Sequence, residues 1–144
     1  MIDIPMAPGR HFVLVVDHDP HRGRALLSKL RSAGCYASWA VSGVDALQYV
    51  AENEPDAVVA EWALPDMSGP ELSRRIKTSR FATKVILEKD GVDWRDLREA
   101  FEAAADDLLP LPPAVPPLLE SLERPDSWTT RPCRASESPV ALTS

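Results

Sequence analysis

The run Phe12-Val13-Leu14-Val15-Val16 is apolar at every position, and it stops abruptly at Asp17-His18-Asp19-Pro20. A strand with one wet face alternates apolar and polar side chains, so a strand without alternation is buried on both faces, the condition of a parallel sheet covered on each side. Parallel neighbours cannot be joined by a tight hairpin; they need long crossovers, usually helices packed on the sheet with right-handed connection. The run therefore predicts a succession of strand-helix units behind it.

The rest of the chain supplies them. Leu26, Leu27, Leu30 and Ala33 recur at helical spacing before Gly34, which stops the helix. Cys35 to Val41 reads as a short strand, Gly43 to Glu52 as a helix with Val44, Leu47 and Val50 inward, and Asn53-Glu54-Pro55 as its break. Ala57 to Ala60 is a further apolar strand. After Gly69, Leu72 and Ile76 mark a helix with Arg74, Arg75 and Lys77 on its wet side. Val85-Ile86-Leu87 is the fourth strand, Trp94 to Ala105 the fourth helix with Leu97 and Phe101 inward, Asp107 to Leu109 a short fifth strand, and Val115 to Leu122 a last helix begun by prolines. Five such repeats imply an α/β fold whose ligands sit at the carboxyl ends of the strands. Residues 1–10 are expected to be a flexible lead-in, residues 11–123 the domain, and residues 124–144, which lack periodic apolar positions, a disordered tail.

Composition narrows the function. The 144 residues suit one domain that buries about 68% of its unfolded surface. Lys and Arg total 16 against 22 Asp and Glu, a net charge of -6, which argues against nucleic acid or an anionic membrane surface as partner. No apolar run approaches the ~18 residues that cross a bilayer, and Met1-Ile2-Asp3-Ile4-Pro5 lacks the basic flank of a signal peptide, so a cytoplasmic location is expected. Cys35 and Cys133 suggest neither a disulfide framework nor a cysteine metal site.

Three segments carry a resemblance. Leu64-Pro65-Asp66-Met67-Ser68-Gly69, Val15-Val16-Asp17-His18-Asp19-Pro20 with Arg22, and Ala104-Ala105-Asp106-Asp107-Leu108-Leu109-Pro110-Leu111-Pro112 resemble, at matching spacing, the motifs of response-regulator receiver domains. The resemblance implies a flavodoxin-like (βα)5 three-layer sandwich with parallel sheet order 2-1-3-4-5. It also places Glu61 where the family holds the aspartate that accepts a phosphoryl group. A carboxylate one methylene longer shifts the nucleophilic oxygen by more than ~1 Å, a displacement that can cost on the order of 100-fold.

Other expected parts are altered as well. In the family, acids at the ends of the first and third strands hold Mg²⁺; here Asp17 matches the first, but His18 stands where a directly coordinating acid is expected, and imidazole is a poor ligand for a hard cation. Mg²⁺ binding is therefore expected to be weak or absent, with Asp17 and Asp19 the weak candidate ligands and no cofactor otherwise. His18 with Asp17, Asp19 and Glu61 reads either as a softer transition-metal site or, the favoured reading, as a loop histidine hydrogen-bonded to a carboxylate. The family's hydroxyl residue on the fourth strand falls at Lys89, or at Glu88 in a register shifted by one; Leu108 replaces the aromatic switch residue, and Leu111 replaces the lysine before Pro112. Lys89 reads either as a salt-bridge partner of Glu61 that would lock one conformation or as a lysine pointing to solvent.

Arg74, Arg75, Lys77, Arg80 and Lys84 read as a solvated face rather than a docking patch. Trp62 matches a position beside the pocket's open side, while Trp39 and Trp94 read as core or helix-start packing. The resulting expectation is a degenerate receiver: not an enzyme, but a phosphorylation-independent protein-interaction module of bacterial signal transduction that docks a protein partner or a second copy through the region Trp94 to Glu123. The alternative is a single-domain regulator still phosphorylated by a sensor histidine kinase through an unorthodox acidic pocket.

Overall fold

The structure, a computed structural model, describes residues 11–80 and 82–124. The lead-in 1–10, Cys133 and all of the expected tail except Arg124 lie outside the described residues. Five strands, β1 (Phe12–Val16), β2 (Tyr36–Ala40), β3 (Ala57–Glu61), β4 (Lys84–Lys89) and β5 (Asp107–Pro110), alternate with five helices, α1 (Pro20–Ser32), α2 (Gly43–Asn53), α3 (Gly69–Ser79), α4 (Trp94–Glu102) and α5 (Val115–Glu123). All strand pairs are parallel, in the order β2-β1-β3-β4-β5. The flavodoxin-like architecture and strand order expected from the resemblance are thus present.

Strand alternation divides the core into two layers. Val13, Val15, Val59 and Ile86 face α1 and α5, meeting Leu26, Leu30, Leu118 and Leu122. Leu14, Val16, Val58, Ala60, Val85 and Leu87 face the other helices, meeting Ala46, Val50, Leu72, Ile76 and Ala100. Polar side chains fix where the helices begin. Asp19 accepts from the amides of His21 and Arg22 at the start of α1, Ser42 from Asp45 at α2, and Ser68 from Glu71 at α3. Asp93 and Asp96 form a reciprocal capping box at α4.

Several expected orientations are corrected. Val44 points to solvent, and α2 packs through Ala46 and Val50. On α4 the outward residues are Trp94, Leu97 and Phe101, at 62%, 40% and 50% exposure, while Ala100 is buried. One residue is about 100° of helical rotation, so seating the helix through its smallest apolar side chain turns the neighbouring Phe101 away from the sheet. Trp94 is accordingly not core packing. Lys77 is not on the wet side either: its Nζ lies 2.7 Å from Asp106 Oδ2, both side chains being mostly buried.

Lys84 likewise leaves the solvated basic face. Its ammonium group donates to the carbonyls of Ser121 (2.9 Å), Leu122 (3.1 Å) and Arg124, the free acceptors at the end of α5. Burial pushes the Lys84 pKa down, and the charges of Asp106 and Asp107 oppose it. Replacing Lys84 by Met keeps the stem but removes the donors, so we expect Lys84→Met to lower stability by roughly 1–3 kcal/mol, read as a reduced urea midpoint.

Candidate functional site

At the carboxyl ends of β1, β3 and β4, the sequence puts acids where the sheet buries them. Asp17 follows β1, Glu61 ends β3, and Glu88 lies directly opposite Glu61 across the β3–β4 ladder. The three residues are 2%, 3% and 1% exposed. Charges so deeply placed require partners.

Arg22, on the first turn of α1, supplies one partner for two of them. Its Nε and Nη2 donate to Asp17 Oδ2 and Oδ1, each at 2.9 Å, a bidentate fork, and Nη2 also donates to Glu61 Oε1 at 3.0 Å. Asp19 stands at 3.6 Å from the same guanidinium. The hydrogen bonds that Arg22 donates to Asp17 raise its pKa and hold it firmly in its charged form. Helix α1 reaches this position because Gly23 lets it lie against Trp39, where a Cβ would come within 2.5 Å of the indole nitrogen. That nitrogen in turn donates to the backbone oxygen of Asp17 at 2.8 Å.

The second oxygen of Glu61 is also engaged. The amide of His18 donates to Oε2, and His18 Nδ1 lies 2.6 Å from the same atom. A carboxylate only accepts, so Nδ1 carries the proton, and the rest of the exposed ring faces outward. The favoured reading of His18, a loop histidine bonded to a carboxylate, describes this geometry.

As a cation site this donor set is already taken. Ligand atoms of Asp17, His18 and Glu61 lie within 4.8 Å of one another. Both oxygens of Asp17 and one of Glu61 already bind Arg22, and the remaining Glu61 oxygen binds His18. A hard divalent ion, which seeks six oxygens, does not fit while the guanidinium stands among these carboxylates. Arg22 is the cation that this arrangement accommodates.

Lys89 does not approach Glu61 as the salt-bridge reading has it. The β3–β4 register faces Glu88 to Glu61, and because side chains alternate along a strand, Lys89 projects to the opposite side. There its Nζ pairs with Asp96 at 3.3 Å and lies 5.8 Å from the centre of the half-buried Trp62 ring. Leu108 is buried in the core, and Leu111 lines a cavity beside the acids.

Two residues named in the sequence reading take roles that it did not assign to them. Glu88 interrupts an apolar strand in register with Glu61, a signal visible only once the register is fixed. Asp66, in the loop after β3, accepts from the amides of Gly43 and Val44, each at 2.8 Å, tying that loop to the start of α2 and lowering the Asp66 pKa through those amides. Gly69 closes the same loop against β3; a Cβ there would meet the backbone carbonyl oxygen of Glu61 at 3.0 Å.

Comparisons with known proteins agree with this architecture. The family model for the response regulator receiver domain matches residues 13–123. Response regulator MprA of Mycobacterium sp. (strain KMS) is 35% identical over 109 residues, 74% of this chain and 46% of the relative. Transcriptional regulatory protein KdpE of Mycobacterium tuberculosis (strain CDC 1551 / Oshkosh) is 35% identical over 100 residues, 69% of this chain and 44% of the relative. The chain thus spans less than half the length of these curated relatives. Among solved structures, a response-regulator candidate from Chloroflexus aurantiacus J-10-fl superposes with TM-score 0.73 at 30% identity, covering 80% of this chain and 99% of that one. Chemotaxis response regulator CheY4 of Vibrio cholerae shares the fold with TM-score 0.74 at 21% identity, covering 81% and 99%.

The buried acid has a measurable consequence. Burial, reinforced by the charges of Asp17 and Glu61 and opposed by Arg22, raises the Glu88 pKa from 4.5 to about 8. Between these values the folded chain keeps a proton that the unfolded chain has lost. The contribution of Glu88 is therefore fully present below pH 4.5 and declines by up to about 1.4 kcal/mol per pH unit until it levels off above pH 8. In urea titrations from pH 5 to 9, we expect Glu88→Gln to lack this decline and to gain on the wild type steadily as pH rises.

Proposed function

We propose, from the premise that this chain belongs to the response regulator receiver family, that it is a degenerate receiver acting in cytoplasmic two-component signalling as a phosphorylation-independent protein-interaction module. The observation that carries this reading is the engagement of Glu61, at the family's acceptor position, by Arg22 on one oxygen and His18 on the other. A nucleophile must offer a lone pair in line with the phosphorus, and a buried carboxylate that takes two hydrogen bonds on Oε2 and a charged one on Oε1 is both screened from an incoming phosphoryl group and weakened as a nucleophile. The longer side chain and the guanidinium standing among the acids support the same conclusion. So do Leu111 in place of the lysine and Leu108 in place of the switch aromatic.

The surface that remains for recognition is α4. Trp94, Leu97 and Phe101 lie one turn apart along it and form an exposed apolar stripe, flanked by Arg95, Arg98, Glu99 and Glu102. An aromatic anchor set within a charged rim has the composition of a protein-docking patch. This stripe falls within the region Trp94 to Glu123 and narrows it to one helix face.

Two measurements test the proposal. Intact mass after treatment with acetyl phosphate and Mg²⁺ should show no added phosphoryl group; a gain at Glu61, Asp17, Asp19 or Asp66 would favour a working phosphoacceptor. Independently, combining Trp94→Ala with Phe101→Ala should weaken self-association in sedimentation, or capture of the protein partner, by at least about 2 kcal/mol. Glu61→Gln should leave that association within about twofold of wild type, because it removes no contact on α4.

A further inference from the structure

The acid cluster opens on one side into a cavity of about 270 Å³ between α1 and the segment following β5. Its walls are apolar: Ala25 and Leu26 from α1, with Leu111, Pro112 and Pro113 from the β5–α5 connection. Its inner end is polar, where Glu88 sits beside Asp17 and Arg22. Among the described residues Glu88 Oε2 is fully shielded and has no hydrogen-bond partner. A buried carboxyl oxygen left unpaired at the end of a cavity is a feature that folding alone does not require.

We propose that this cavity binds a small primary amine with an apolar body, its ammonium group hydrogen-bonded to Glu88. The sign of the charge follows from the neighbours. Asp17 and Glu61 share the single guanidinium of Arg22, so the inner end carries more negative than positive charge. The β5–α5 side contributes Leu111, Pro112 and Pro113, none of them charged. An ammonium group brings three donors and a positive charge to the inner end, where rotation of the Glu88 carboxyl presents its unpaired oxygen; the added charge favours release of the Glu88 proton, and the charge-assisted bond that results is of the strong kind.

Size and shape set the body. An apolar cavity of about 150 Å³ is enough to take benzene, so the present volume accepts a ring with a short chain that reaches the acid. His21 and Lys29 stand at the mouth. The positive charge of Lys29 disfavours a second ammonium group there, which selects a monoamine over a diamine. The cavity lies on the α1 and α5 side of the sheet, away from the α4 stripe, so the inference goes beyond protein docking and fails or holds separately from it.

Isothermal titration of the full chain with phenethylamine at low salt tests the proposal, with phenethyl alcohol as the uncharged counterpart of the same shape. We expect saturable one-site binding of the amine, and binding of the alcohol weaker by about tenfold or more. Glu88→Gln, which keeps the shape and removes the acid, should weaken the amine by a similar factor. Ala25→Trp should block the cavity, with near-UV circular dichroism confirming that both variants fold. Equal binding of amine and alcohol, retained affinity in Glu88→Gln or Ala25→Trp, or absence of saturable binding into the millimolar range would each overturn it.

Discussion

The fork between Arg22 and Asp17 is the interaction on which the carboxyl end of this sheet depends. Parallel strands bring their ends together, and here three of those ends carry acids inside the protein. Two buried carboxylates a few ångströms apart repel strongly in a medium of low effective dielectric. One guanidinium reaching both converts that repulsion into a bonded triad, and its planar geometry is what allows one side chain to serve two acids. Even so, the neutralisation is partial. Glu88, which no arginine nitrogen reaches by hydrogen bond, responds by holding its proton. The ionic triad and the protonated acid are two answers to one excess of negative charge.

Most of the fold was legible because it rests on patterns that survive in one dimension. The unbroken apolar run from Phe12 to Val16 required two-sided burial, and the residues at the helix starts, Asp19, Ser42, Ser68 and Asp93, are of the types that cap. The helix faces were less legible. Periodicity points the largest apolar residues inward, yet α4 meets the sheet through Ala100, and close packing can prefer a small residue to a large one. A segment whose big side chains face out reads like one whose big side chains face in, because the same period describes both.

The site was legible in composition and hidden in register. Asp17, His18 and Glu61 do converge. Which residue of β4 faces them depended on a shift of one position, and a shift of one reverses every side chain on a strand. The observed pairing of Glu61 with Glu88 replaces an anticipated cation beside Glu61 by a third acid. Arg22 then becomes necessary as the internal counter-ion. Lys89 is left to Asp96, one of the two residues of the α4 capping box.

That last pairing bears on how a signal could cross the domain. Information passes between a pocket and a distant face only if both bias one element that has two arrangements. In this chain the pocket side is held by Arg22 and His18, and the loop after β3 is held by Asp66 on the amides of α2. The α4 side is held by Asp96, which caps the helix and binds Lys89 from the end of β4. Leu108, between them on β5, is packed in the core and has no polar tip that could exchange a buried for an exposed partner. On the proposed reading, Trp94, Leu97 and Phe101 are therefore presented constitutively: the bonds that close the pocket and those that orient α4 are satisfied together, and neither set gains by the loss of the other.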